Sequence, residues 1–184
     1  MTRPPASDDA LVPDALALGA ATLGESGARR MHSRVKPAWS GARVAGPAYP
    51  VRCSPGDNLA IHVAVTRAPA GSILVADMGG EREYGYWGEV LTTGAEARGI
   101  AGLVIDACVR DCDALAAHGF PVFSTGLALT GASKTQPGSV DRAVTGTRAP
   151  SASGADSSMR ARGSSPFDRQ RIGDTPKAGE GRGR

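Results

Sequence analysis

Between residues 72 and 126 the chain alternates short apolar runs with alanine-rich stretches, and this alternation narrows the possible folds more than any other feature. "SILVAD" (72–77), "GLVID" (102–106) and "PVFSTG" (121–126) are separated by "EVLTTGAEARG" (89–99) and "CDALAAHG" (112–119). An unbroken aliphatic run of four to six residues is what a strand buried on both faces looks like. The intervening segments carry helix formers and stop at Gly99 and Gly119, where a helix end favours glycine. Strand and helix in turn predict a layered α/β fold. With 184 residues, 41% hydrophobic residues, 4% aromatics and 25 glycines, a single domain with an Ala/Gly/Val core is expected.

Upstream, "PDALALGAATLG" (13–24) reads as a helical lead-in, and "ARVAGPAYPVRC" (42–53), with its two prolines, as an irregular or edge strand. Ser54-Pro55-Gly56-Asp57 is turn chemistry with Asp57 as N-cap of a short helix through Leu59, Ile61, Val63 and Val65. "MGGEREYGYWG" (78–88) is a glycine-rich loop between strand and helix.

The character changes after residue 140. Residues 141–184 hold nine Lys and Arg against five Asp and Glu, while the first 140 hold twelve against thirteen. The formal charge of +3 therefore belongs to the tail, and the body has no electrostatic reason to bind nucleic acid. Val144 and Ile172 are the only Ile, Leu or Val in that stretch. Such a segment buries too little apolar surface to offset ordering entropy, so a disordered, low-complexity basic tail is expected over 141–184. No run approaches 18 apolar residues, and the N-terminus lacks the basic-then-apolar order of a signal peptide, which predicts a cytoplasmic protein. Cys53, Cys108 and Cys112 are odd in number and are expected to stay reduced and structural.

Two places carry chemistry. If a helix begins near Glu89, the N–H groups of Gly88, Glu89, Val90 and Leu91 are orphan donors suited to a carboxylate or phosphate. The loop before it has neither a phosphate-loop Lys-Ser/Thr nor a GxGxxG pattern, so nucleotide binding is disfavoured. Arg110-Asp111 lies just past a strand's C-terminal end, where open α/β sheets place ligands. There Arg110 can grip a carboxylate with two hydrogen bonds, and Asp111, with Glu89 assisting through water, suits a hard divalent cation. The plainer alternative is a surface ion pair with Asp111 capping the helix at 112, and Glu89 simply favouring its own helix N-terminus. His32, His62 and His118 have no ligand-spaced partners.

"GPAYPVRCSPGDNLAIH", "WGEVLTTGAEARGIAGLVIDACVRD" and "GFPVFSTGLALTGASKTQPGSV" resemble the RraA-like family. That family includes 4-hydroxy-4-methyl-2-oxoglutarate aldolases, oxaloacetate decarboxylases and the regulator of ribonuclease E activity. The most specific element is an acidic residue, twenty intervening residues and then Arg-Asp, met by Glu89 and Arg110-Asp111. The resemblance spans roughly residues 10–140 and implies a β/β/α swivelling-type domain over 1–140, assembled as a trimer or dimer of trimers. It also implies a lyase with a small 2-keto acid substrate and pyruvate as product. Asp111 would bind Mg²⁺ or Mn²⁺, Arg110 the substrate, the amides of Gly88 through Leu91 its carboxylate, and Glu89 the metal through water. The alternative within the same resemblance is a non-catalytic inhibitor of ribonuclease E, or a degenerate copy that does neither.

Two departures from the family pattern stand out. Ala107 replaces a common glycine, and its methyl is expected to crowd the ligand pocket. Past "GSV" the family's further strands, with a Pro-Gly-Asp turn, have no counterpart. Residues 141–184 read instead like an out-of-frame translation or a diverged tail, which leaves the domain incomplete at its C-terminal end.

Overall fold

The computed structural model describes residues 8–142. The expected disordered tail lies, but for its first two residues, outside them. Helix α1 spans Asp8–Glu25 and is broken at Gly19, whose φ of 79° is non-helical. Strands β1 (Lys36–Pro37) and β2 (Ala48–Arg52) follow, then α2 (Leu59–Arg67), β3 (Ile73–Asp77) and α3 (Glu89–Ala97). The chain continues through β4 (Gly102–Ile105), β5 (Cys108–Val109), α4 (Cys112–His118), β6 (Val122–Ser124), β7 (Gly126–Leu127) and β8 (Ser139–Val140).

Six strands form one sheet in the order β1-β6-β4-β3-β2-β8, and β5 pairs with β7 in a separate two-stranded ladder. β2, β3, β4 and β6 are parallel, flanked by antiparallel β1 and β8. Because the parallel strands are added in one direction along the sheet, crossovers of the usual hand put α2, α3 and α4 on one face. The alternation of side chains along the strands bears this out. Leu74, Ala76, Leu103 and Ile105 pack with Ile61, Leu91 and Leu115 of the helices, whereas Ile73, Val75 and Val104 turn to the other face under Val35, Val44 and Phe123. All five residues of β3 and all four of β4 are buried, as the aliphatic runs require.

The layered α/β architecture expected from the sequence is therefore present. Segment 42–53 is irregular over 42–47, as read, but its strand β2 is second from the edge, not at it. Pro50 is tolerated there because the antiparallel partner β8 pairs only with Val51 and Arg52. No helix among the described residues is long and apolar enough to cross a membrane. Cys53, Cys108 and Cys112 are free, and burial pushes all three thiols up, which suits a structural role.

Two buried carboxylates tie the irregular segments down. Asp106, 2% exposed at the end of β4, accepts from Arg34 Nε at 2.6 Å, Arg34 Nη2 at 2.8 Å and Arg82 Nη2 at 3.0 Å. This joins the lead-in to the glycine-rich loop. Asp57, 1% exposed, serves α2 from one residue before the helix cap: its Oδ1 accepts the Leu59 N–H at 2.8 Å, while Asn58 stands at the cap position. Its Oδ2 takes the Ser133 hydroxyl at 2.5 Å and the N–H groups of Thr135 and Gln136 at 2.6 and 2.9 Å. Burial alone would raise this carboxyl, but Ser133 and the three backbone donors outweigh it and hold it down at about 2.

A group whose folded value lies below its unfolded one stabilises the fold fully above the unfolded value and stops doing so as pH falls through the folded one. Asp57→Ala is expected to lower unfolding free energy by roughly 1–3 kcal/mol at pH 7, since it removes the charged acceptor that ties the start of α2 to residues 133–136. The gap from wild type in urea melts should hold above about pH 4 and narrow as pH approaches 2. A pH-independent gap would contradict this account.

Candidate active site

The glycine-rich loop is held by its aromatics as much as by its glycines. Tyr86 and Trp87 are fully buried. The Tyr86 hydroxyl donates to the Glu81 carbonyl and accepts the Gly56 N–H, both at 3.0 Å. Trp87 donates from Nε1 to Thr92 Oγ1 at 2.7 Å and stacks on Phe120. Thus anchored, the loop runs beside the segment leaving β4: Cys108 N donates to Arg82 O at 2.9 Å, Tyr86 N to Cys108 O at 3.2 Å, and Arg110 N to Trp87 O at 2.9 Å. On its other side, Ala128 N donates to Val109 O at 3.0 Å. Arg110 and Asp111 emerge from this braid at the C-terminal side of the sheet, directly before α4.

Asp111 sits in left-handed backbone (φ 59°, ψ 37°), a conformation Asp tolerates better than most residues and one found often at functional sites. It occupies the position before α4 but makes no side-chain cap there. Its Oδ2 instead crosses to α3 and accepts the Glu89 N–H at 3.1 Å, with Arg110 Nε 3.6 Å away. The plain capping role considered for Asp111 is therefore replaced by a bond between two helix starts. Gly88 makes it possible: a Cβ there would collide with Asp111 Oδ2 and press on Arg110. Gly85 is likewise backed by Arg110 and the Ala128 carbonyl. These two glycines admit Arg110 and Asp111.

Of the four amides expected to face a ligand, that of Glu89 is taken by Asp111, while those of Gly88, Val90 and Leu91 have no acceptor among the described residues. Leu91 is buried and Val90 is 79% exposed. The Glu89 carboxylate is exposed, with its Oε1 3.8 Å from His118 Nε2; His118 Nδ1 lies 2.8 Å from Glu96 Oε2. Ala107 is fully buried in the main core and does not line the pocket, so its methyl does not crowd it.

The pocket, about 140 Å³, opens beside Gly88 and Arg110 and runs to Asn58, His62, Tyr86 and Lys134. Its lining includes two fixed cations, Arg110 and Lys134, and no acidic side chain. Lys134 arrives on the loop that Asp57 clamps, and neither it nor Asn58 was singled out by motif. The faint signals were Asp-Asn at a helix start and a lone Lys in "GASK", which only the tertiary contact unites. Toward a metal, Asp111 offers a single carboxylate, 40% exposed. Among the described residues no cluster of three or more His, Cys, Asp or Glu is arranged to hold an ion. One carboxylate fits a hard divalent cation that keeps most of its water, and does not fit zinc.

The fold is a layered α/β domain with a largely parallel sheet and an Arg-Asp pair at the sheet's C-terminal side. The chain belongs to the RraA-like family, described as Aldolase/RraA, which it matches over residues 9–150. It is 34% identical over 115 residues to a protein of Halalkalibacterium halodurans that carries the provisional name 4-hydroxy-4-methyl-2-oxoglutarate aldolase, covering 62% of this chain and 55% of that one. A Burkholderia mallei protein with the same provisional name is 40% identical over 74 residues, 40% of this chain and 44% of that one. The chain thus spans about half the length of these relatives. Among solved structures, Streptomyces coelicolor RraAS2, described as an unusual member of the RNase ES inhibitor RraA protein family, superposes with a TM-score of 0.61 at 27% identity, covering 76% of this chain and 73% of that one.

Gly88→Ala is expected to force Asp111 off the Glu89 amide and cost roughly 1–3 kcal/mol through overpacking. Urea unfolding checks it; an unaltered midpoint would mean that the carboxylate has room to move.

Proposed function

We propose that the chain is a lyase acting on small 2-keto diacids, cleaving 4-hydroxy-4-methyl-2-oxoglutarate-like substrates and decarboxylating oxaloacetate to pyruvate, with Mg²⁺ or Mn²⁺ held by Asp111. The observation that carries this reading is the juxtaposition of Arg110 and Asp111 with the start of α3, beside a pocket lined by cations. The free amides of Gly88, Val90 and Leu91 suit the carboxylate next to the keto group. Lys134 suits the far carboxylate. When the C3–C4 bond breaks, its electron pair moves into the keto half and charge develops on the keto oxygen. In the aldol substrate the C4 hydroxyl gives its proton to water and becomes the second keto group; in oxaloacetate C4 leaves as CO₂. In both, the enolate carbon then takes a proton from water. Arg110, aimed by its backbone bond to Trp87, donates to the enolate oxygen and stabilises the charge. A bound divalent ion would supply Lewis-acid stabilisation of the same charge. Asp111, anchored through one oxygen to the Glu89 amide, keeps the other for the ion. A trimer or dimer of trimers belongs to this reading, as the family resemblance implies.

A second reading, inhibition of a ribonuclease E-type enzyme, is favoured by the 27% identity to RraAS2, whose own description places it among RNase ES inhibitors. The two readings separate in one assay. Wild type is expected to release pyruvate from oxaloacetate and from 4-hydroxy-4-methyl-2-oxoglutarate in the presence of Mg²⁺ or Mn²⁺, and to stop when the metal is chelated. Asp111→Asn, which keeps tolerance for left-handed backbone, and Arg110→Lys, which loses the two-pronged grip, should each lower kcat/KM by on the order of 10²-fold or more. Turnover indifferent to both substitutions, or to chelation, would remove the lyase reading.

A further inference from the structure

A threonine inside a helix commonly bends its hydroxyl back to the carbonyl four residues earlier. Thr92 does this in α3, donating from Oγ1 to the Gly88 carbonyl at 3.1 Å, beside its own N–H at 3.1 Å. Two features set this bond apart. The Thr92 oxygen is also engaged by the Trp87 indole, which donates from Nε1 at 2.7 Å, and both side chains are fully buried. The carbonyl it reaches belongs to the peptide whose N–H, that of Glu89, donates to Asp111 Oδ2 at 3.1 Å.

The direction of every bond in this row is fixed. An indole N–H can only donate and a carbonyl can only accept, so the Thr92 hydroxyl must accept from Trp87 and give its single proton to Gly88. In a planar trans peptide the carbonyl and the N–H point opposite ways. Gripping the Gly88 oxygen from the core therefore turns the Glu89 N–H outward, to Asp111. Hydrogen bonds in a row also polarise one another, so each strengthens the next. Asp111 needs such a hold, because its backbone is left-handed and its side chain makes no cap on its own helix.

We propose that Thr92 is a positioning residue for Asp111: through the Gly88–Glu89 peptide its hydroxyl seats one carboxylate oxygen and leaves the other free to meet a divalent ion. The ion rests on the lyase reading above; the seating of Asp111 does not.

The first test needs no metal. The chain has two tryptophans, and Trp39 donates to the Phe120 carbonyl at 2.9 Å, outside this row. The ¹⁵N–¹H spectrum of the full chain thus holds an indole signal for the row and another as reference. Asp111→Gly removes the acceptor at the outer end while suiting the left-handed backbone. The Trp87 indole proton is expected to move upfield and that of Trp39 to stay. An unmoved Trp87 signal, or equal movement of both, overturns the proposal. The second test is calorimetric titration with Mn²⁺. Thr92→Val, which keeps the shape and loses the hydroxyl, should weaken binding by about tenfold or more, the cost usual for losing a group that orients a metal ligand. Thr92→Ser, which keeps the hydroxyl and loses the methyl, should bind close to wild type. A role in packing alone would reverse that order, and wild-type affinity in Thr92→Val overturns the proposal. The indole measurement decides even where Thr92→Val does not fold. A displaced Trp87 signal without Mn²⁺ uptake by wild type upholds the seating and removes the metal reading. Mn²⁺ uptake with an unmoved Trp87 signal does the reverse.

Discussion

The Asp57 carboxylate is the point on which the candidate site hangs. It accepts four hydrogen bonds, one from the first residue of α2 and three from the 133–136 segment, and so fastens a helix start to a loop about 75 residues away. Everything at the pocket's far end depends on that fastening: α2 contributes Asn58 and His62, and the loop contributes Lys134. An exposed ion pair between the same segments would be worth little, because solvent screens it. A carboxylate almost wholly removed from water, with its oxygens satisfied by short bonds, constrains position far more strongly.

The near end of the pocket is built by a different device. There the backbone of residues 108–110 is sandwiched between the glycine-rich loop and the chain entering and leaving β7, so Arg110 leaves a rigid ribbon. Asp111 is then held by α3 and not by its own helix. The outcome is a pair of oppositely charged groups that are neighbours in sequence yet only loosely engaged with one another, at 3.6 Å, and so remain available to something else. A tight mutual bond would have consumed both.

Much of this was legible from residue order. The aliphatic runs at 72–77 and 102–105 became fully buried parallel strands, the helices begin and end where acids and glycines announced them, and Arg110-Asp111 stands at the C-terminal side of the sheet. Segment 42–53 misled because its prolines spoke for an edge, whereas a two-residue partner strand leaves an interior proline unharmed. Two glycines of the 78–88 loop are space for Arg110 and Asp111, a demand set by a contact across the fold that the loop's own sequence does not show. The far wall was invisible for a simple reason. Asn58, His62 and Lys134 become neighbours through a buried carboxylate, and no periodicity or short motif reports a contact across that separation.

The close seating of Asp111 over Gly88 also governs how this pocket can diverge. Position 88 admits no side chain without evicting the carboxylate, and 85 is hemmed in by a carbonyl, so the floor beneath the Arg-Asp pair is frozen. Val90 lines the same pocket yet is 79% exposed, with little around it to disturb. Ligand preference in descendants of this chain is therefore free to drift at the rim, one residue beyond Glu89, while the chemistry underneath stays untouched.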